Sequence, residues 1–358
     1  MPVNTAKVSI VIAAYNAANF IEEMIKSILA QSYPNWEAIF VDDHSTDSTG
    51  DIIKEYALQD NRVRYHLAPC HAGRPSTNRN IGIQLAVGEF ITFMDADDVY
   101  LPDALKVLLQ PLIHDTQLNA SMAFPYYCDN ALKPLHPSPH LEETENGNYK
   151  FLPDFELSWE KICKRKLYFF VCSVMFRGRI LKQLPPMDET LLTGDDFKLL
   201  VELLCLGFEK LSIIPQCTYW YRNYAGSITK KPLRLLNACD SHIALTEWLF
   251  SLLELPKEMQ HLKGYHLAHR LAVLTSTLTK MKYPNLAWKV IFMSLKFRFI
   301  QPGVWISFFG KEIVRLCIPD FAQNFISSIL KNQTANYFKV TMTAEIPFSA
   351  SSSLTPVS

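Results

Sequence analysis

EFITFMDADDVYLP, residues 89–102, runs an apolar stretch, FITFM, straight into Asp95, Asp97 and Asp98. An apolar strand that delivers carboxylates at its carboxyl end belongs to an open α/β sheet, where ligands bind outside the strand ends. Adjacent carboxylates repel unless a cation, a strong donor or open water compensates them. The cluster therefore reads as a divalent-metal site, or as a solvated turn in which Asp98 caps a helix with Pro102 in its first turn. The segment by itself leaves both open, and the residues upstream decide between them.

Residues 8–109 alternate strand and helix signals, the pattern of a mostly parallel sheet wrapped by crossover helices. VSIVIA (8–13) reads as a buried strand. Phe20, Ile21, Met24, Ile25, Ile28 and Leu29 follow on one helical face, ended by Gln31 to Asn35 with Pro34. WEAIFV (36–41) is a second strand, and STDSTG offers caps for a helix carrying Ile52, Ile53 and Tyr56. VRYHL (63–67) is a third. HAGRPSTN leads to a helix around Gly82 to Ala86, and EFITFM closes the series.

Between 115 and 165 the periodicity fades. Pro134, Pro137, Pro139, Pro153 and the acids Glu142, Glu143 and Glu145 predict a long surface loop. Order resumes at FFVCSVMF (169–176). LLTGDDFKLLVELLCLG (191–207) places Phe197, Leu200, Val201 and Leu204 on one face of a helix that opens at Asp195 and Asp196 and is capped by Gly207. Beyond Ser227 the chain turns to helical segments rich in Leu, Trp, Phe and Lys. The expected division is a catalytic domain over 1–229, a helical region over 230–345 and a disordered tail over 346–358.

Lys and Arg total 35, as do Asp and Glu, so no net charge argues for nucleic acid as a partner. The cysteines are scattered without a CxxC pair or zinc spacing, and the N-terminus lacks a secretory apolar core, which predicts a reduced, cytoplasmic protein. The best membrane candidate, 286–310, is broken by Lys289, Lys296 and Arg298. It is expected not to span a bilayer. A basic, aromatic stretch of this kind suits peripheral contact with a membrane interface, or a helical appendage packed on the catalytic domain.

Three polar clusters fall at strand ends: Tyr15 and Asn16, Asp42 and Asp43, and Asp95 to Asp98. There is no GxGxxG after the first strand and no GxxxxGK[ST], which excludes the dinucleotide and P-loop fingerprints. A nucleotidyltransferase would want a glycine-rich, basic first loop, and AAYNAANF is neither.

The runs VSIVIAAYNAANFIEEMIKSILAQSYPNWEAIFVDDHSTDSTGDII, GRPSTNRNIGIQLAVGEFITFMDADD and PPMDETLLTGDDFKLLVELLCLGFEKLSIIPQCTYWYRNYAGSIT, in this order, resemble family 2 glycosyltransferases, which have the GT-A fold. The similarity covers roughly residues 7–229. It implies an α/β, Rossmann-like sheet flanked by helices. It implies an inverting enzyme that moves a sugar from a nucleotide-sugar donor, a UDP-sugar with Mg²⁺ or Mn²⁺, to a hydroxyl of a glycan or lipid-linked saccharide. A catalytically idle protein that keeps the fold is the rival from another class.

Position by position, the resemblance implies that Asp43, with Asp42 beside it, accepts from the nucleotide base while Tyr15 lies against that base. Asp95 and Asp97 match the DxD element, with Asp97 the direct metal ligand. Arg74 and Arg79 pair with phosphate, or Arg79 ties its loop to Asp95. Asp196 holds the place of the catalytic base, and Asp195 replaces the glutamate usual before it; first-turn acids complementing a helix dipole are the plainer alternative. Tyr224 stands where histidine is common, which moves the diphosphate contact to Arg222, whose alternative is a core or hinge role. No physical reason for Asn78, where a small residue is usual, is visible.

Overall fold

The computed structural model describes residues 6–139, 141–143, 149–151, 159–164, 170–206, 210–224 and 231–317. Gly207, Ser227, Glu145, Pro153 and the tail from Phe348 lie outside them. In chain order the elements begin with β1 (Val8–Ala14), α1 (Ile21–Leu29), β2 (Trp36–Asp42), α2 (Thr49–Gln59), β3 (Val63–Leu67), α3 (Pro75–Leu85), β4 (Phe90–Asp95) and β5 (Val99–Tyr100). They continue with α4 (Ala104–His114), β6 (Ala120–Cys128), β7 (Pro134–Pro137), β8 (Leu141–Glu143), β9 (Tyr149–Phe151), α5 (Trp159–Cys163), β10 (Val174–Arg177) and α6 (Gly178–Leu181). The last are α7 (Asp195–Cys205), β11 (Leu211–Arg222), α8 (Pro232–Leu249), α9 (Lys263–Lys280), α10 (Pro284–Ser294) and α11 (Pro302–Cys317).

The main sheet has nine strands, ordered β3-β2-β1-β4-β10-β6-β11-β5, with β7 on β6. β1 pairs in parallel with β2 and β4, β2 with β3, and β6 with β11, whereas β10 runs antiparallel to both β4 and β6. The expected mostly parallel, helix-flanked sheet is therefore present, with one reversed strand at its centre. β2 is buried along its whole length, as a strand covered on both faces must be. α3 lies directly on β1, since a Cβ at Gly82 would stand 2.2 Å from Val11 Cγ1. Only glycine permits that approach.

Three expectations are corrected. The stretch predicted as a long loop contains β6, a central strand buried from Ala120 to Pro125. Its Pro125 falls between the residues that pair with β10 (Ala120–Met122) and those that pair with β7 (Tyr126–Cys128), which is how a proline is tolerated in a central strand. Nor does Asp98 cap a helix: α4 starts at Ala104, and Gln31 serves its first turn, accepting from Leu105 N at 3.1 Å and donating to Leu101 O at 2.7 Å. The helix before β4 also begins earlier than its apolar residues indicate, at Pro75 in the N1 position.

The chain divides into two compact units, Met1–Leu267 and Ala268–Ser358. The first holds the sheet, α8 and a core built around Trp36, Phe40, Phe90, Phe93 and Phe176. In the second, Leu271, Leu278, Val290, Ile291 and Phe309 are buried, and Trp305 Nε1 donates to Ser294 Oγ at 2.8 Å. No helix among the described residues is long and apolar enough to cross a membrane.

Candidate active site

Successive side chains on a strand point to opposite faces, so the Asp42–Asp43 pair at the end of β2 separates. Asp42 accepts from Ser45 N (3.0 Å) and from the Tyr65 hydroxyl (3.0 Å), pinning the turn into α2. Its carboxylate is thus spent on the fold. Asp43 turns to the loop before α3, where Oδ1 accepts from Ala72 N and Oδ2 from Gly73 N, each at 2.8 Å, and His71 Nδ1 stands 2.9 Å from Oδ2. Oδ1, with one donor, retains a second lone pair. The Tyr15 ring, 44% exposed, lies 4.8 Å from the His71 ring, so Tyr15, His71 and Asp43 form one cluster of aromatic surface and buried carboxylate. Asn16 beside it takes a left-handed turn (φ 47°) that its own side chain locks by accepting from Thr46 N.

Arg79 joins the acidic turn after β4 to the first residue of α7. It donates from Nη2 to Asp95 Oδ1 at 2.7 Å and from Nη1 to Asp195 Oδ2 at 3.1 Å. Burial disfavours its charge, yet Asp95 and Asp195 raise its pKa above the ordinary arginine range. The next residue does the same for the chain before α7: Asn80 accepts from Met187 N and donates to Met187 O and to Glu189. Together they fasten the start of α7 to the end of β4. Of the two sequence readings of Arg79, the tie to Asp95 is the one found, and it extends to Asp195.

Asp97 is half-buried. Burial, with the charge of Asp95 next, pushes its carboxyl up to about 6, and the Tyr224 hydroxyl donates to it at 3.2 Å. Asp98 is buried; Oδ1 accepts from Arg222 N at 2.9 Å, while Oδ2 has no partner among the described residues. Arg222 lies beneath this turn. Its side chain is 1% exposed, and it donates to Asp97 O and Asn130 O and pairs with Glu23 at 2.7 Å over the Phe20 ring. It is a strut under the acidic turn, and Tyr224 is the residue of that element that reaches Asp97.

Could this cluster hold a cation? Among the described residues no three His, Cys, Asp or Glu side chains converge on one point. Two hard oxygen donors, Asp95 and Asp97, beside an unpartnered carboxylate oxygen suit Mg²⁺ or Mn²⁺, which keep several waters and take one or two carboxylates plus phosphate oxygens. The residues fit such an ion in the company of a diphosphate.

Arg74 heads α3 and makes no ion pair among the described residues, and its Nε is buried without a partner. Arg234, from α8, points into the same corner. Among the described residues its guanidinium reaches Gly73 O, at 3.4–3.5 Å, and its Nε has no partner. Burial, and then Arg74 nearby, depress its pKa. Two guanidiniums without an ion pair among the described residues thus meet here, with Asp195 near enough to favour the charge of Arg234; the sequence pointed only to Arg74. Arg234, His71 and Asn80 were not legible because their partners lie far along the chain, and Tyr224, noted for its place, could not be linked to Asp97 for the same reason.

Gly194, at φ 87°, turns the chain into α7, whose first residues are Asp195 and Asp196. Asp195 is committed to Arg79. Asp196 Oδ1 accepts from Phe197 N at 2.7 Å. Further along α7, Lys198 pairs with Asp188 at 2.7 Å and lies 3.8 Å from Glu202. Burial opposes the Asp188 charge, but Lys198 and Thr190 bring its pKa down to about 2. Glu202 is the loser: burial pushes it up to about 7, because Lys198 is closer to Asp188. A carboxyl raised on folding costs nothing below its unfolded pKa of about 4.3; the penalty grows as pH rises to about 7 and is constant above. Glu202→Gln is therefore expected to raise stability by about 1–3 kcal/mol at pH 8 and to leave it unchanged at pH 4. Urea unfolding at the two pH values checks this, and equal effects at both would refute it.

Residues 9–182 match the model of glycosyl transferase family 2. Glycosyltransferase GlyG of Streptococcus pneumoniae is 40% identical over 103 residues, 29% of this chain and 34% of that protein. The GalNAc(5)-diNAcBac-PP-undecaprenol beta-1,3-glucosyltransferase of Campylobacter jejuni is 36% identical over 104 residues, again 29% of this chain and 34% of its own length. The chain thus spans about a third of the length of these curated relatives. Among solved structures, mannosyltransferase PcManGT of Pyrobaculum calidifontis, in complex with GDP-Man and Mn²⁺, matches with a TM-score of 0.54 at 14% identity, covering 95% of this chain and 88% of its own. At that identity the likeness is one of fold.

Proposed function

Because this chain belongs to glycosyl transferase family 2, we propose that it is an inverting glycosyltransferase that moves a sugar from a UDP-sugar to a hydroxyl of a glycan or lipid-linked saccharide in the cytoplasm. The observation that carries this reading is Arg79, which holds the acid that ends β4 and the acid that opens α7 on a single guanidinium. Donor leaving group and acceptor base must flank one anomeric carbon, and this bridge draws their two elements together. Tyr15 offers a stacking surface, and Asp43 a lone pair for the imide N–H of uracil. Arg74 and Arg234 take a phosphate group of the donor. Bound at Asp97 and Asp95, a divalent cation would supply neutralising charge for the departing nucleoside diphosphate. Asp196 takes the proton of the acceptor hydroxyl while the acceptor oxygen bonds to the anomeric carbon and the bond to the diphosphate breaks on the opposite face. Asp195 orients α7 through Arg79.

The Campylobacter relative acts, by its name, on an undecaprenol-linked acceptor, which supports a lipid-linked acceptor here. The fold neighbour bound to GDP-Man keeps the base under test. Thermal-shift screening of UDP- and GDP-sugars with and without Mn²⁺ decides, because a ligand that binds only the native state stabilises it by about 2.7 kcal/mol at 100 times its Kd. A UDP-sugar is expected to raise the midpoint only with Mn²⁺. A shift with GDP-sugars alone would reassign the base, and no shift with any donor would overturn the reading.

A further inference from the structure

α10 buries its small and aliphatic residues and exposes its aromatic ones. Ala287, Val290, Ile291 and Ser294 face inward, whereas Phe292 is 61% exposed and Leu295 55%. Trp288, half-buried, stacks on Phe292 with ring centroids 5.6 Å apart, and together with Asn285 and Lys289 they line an open groove of about 450 Å³. Positions 288, 292 and 295 fall on one helical stripe, and Tyr283 and Phe299 extend the exposed apolar surface at either end. Contiguous exposed apolar surface marks an interaction site.

Charge is segregated onto the same segment. The chain as a whole has 35 basic and 35 acidic residues, yet no Asp or Glu occurs between Glu258 and Glu312. Lys280, Lys282, Lys289, Lys296 and Arg298 are all exposed, and none has a carboxylate partner among the described residues. Tryptophan and tyrosine favour the boundary between water and hydrocarbon, and long basic side chains reach from an apolar stripe back to polar headgroups. An acidic protein surface would use the charge, but would not by itself call for the aromatic stripe of Trp288 and the exposed Phe292.

We propose that the Tyr283–Phe299 surface docks on an anionic bilayer, with Trp288, Phe292 and Leu295 entering the interface and the flanking lysines and Arg298 resting on lipid phosphates. This deepens the proposed function by placing the enzyme on the surface that would carry a lipid-linked acceptor, though docking itself does not depend on sugar transfer.

The full chain is floated with vesicles of phosphatidylcholine alone and of phosphatidylcholine with phosphatidylglycerol, at low and high salt. Association is expected only with the anionic vesicles, and is expected to weaken as salt rises. The double substitution Trp288→Ala with Phe292→Ala should lower that partition by about tenfold or more. The same variant should keep the wild-type unfolding midpoint and the wild-type binding of UDP with Mn²⁺, which separates this proposal from failure of the active-site reading. Lys289→Gln with Lys296→Gln should reduce both the partition and its salt dependence. Absence of wild-type association at low salt, or unchanged association of the aromatic variant, would overturn the proposal. So would a wild-type dimer that the aromatic substitutions convert to monomer without any vesicle binding, since the stripe would then be an interface between copies.

Discussion

Asp196→Asn is expected to lower the transfer rate by about 10²- to 10⁴-fold while donor affinity stays within a few-fold of wild type. The amide preserves shape and the hydrogen bond from Phe197 N but cannot take a proton from the acceptor. Asp195 cannot replace it, because its carboxylate is held by Arg79 at 3.1 Å. Single-turnover rates at saturating donor make the comparison where chemistry limits. A rate within a few-fold of wild type would leave Asp196 as a first-turn acid complementing the α7 dipole, and the base would lie elsewhere.

Arg79→Leu is expected to damage both stability and function. Its guanidinium is 7% exposed and separates Asp95 from Asp195, with Asp97 and Asp98 close by. Removing one member of a buried ionic group typically costs about 3–5 kcal/mol, since the remaining charges stay uncompensated. Asp95 is 38% exposed, so solvent screens part of the loss, and about 2–3 kcal/mol is expected by urea unfolding. Binding of UDP with Mn²⁺ should weaken as well, because Asp95 loses its anchor. Arg79→Lys restores charge but not the two-pronged geometry and should recover only part of either loss. Stability of the leucine variant within about 0.5 kcal/mol of wild type would show that the bridge is incidental.

Much of the first half of the fold was legible because its signals are local. The strands at 8–14, 36–42, 63–67 and 90–95 are apolar runs bounded by polar turns, and their order alone predicts a parallel sheet whose carboxylates gather at one edge. β6 was not legible, because Pro125 and the prolines that follow carry the local signature of a loop, and only its pairing with β10 and β11 overrides that signature. The site shows the same limit. Asp43 and Asp97 could be picked out from their motifs, but that Asp42 serves Tyr65, that Arg222 serves Glu23, and that Arg79 reaches 116 residues ahead to Asp195 depend on tertiary pairing. Composition likewise hid the acid-free segment after Glu258, since the charges balance over the whole chain.

On the proposed reading, the acidic turn after β4 receives a nucleoside diphosphate together with a divalent cation. Calorimetric titration of UDP into the wild-type chain, with Mn²⁺ and with the ion chelated, alongside Asp97→Ala, tests it most directly. Saturable binding to wild type is expected, dependent on Mn²⁺ and lost in Asp97→Ala, with the variant still folded because removing one of several repelling carboxylates relieves the apo protein. Equal affinity with and without the ion, or wild-type affinity in Asp97→Ala, would contradict it.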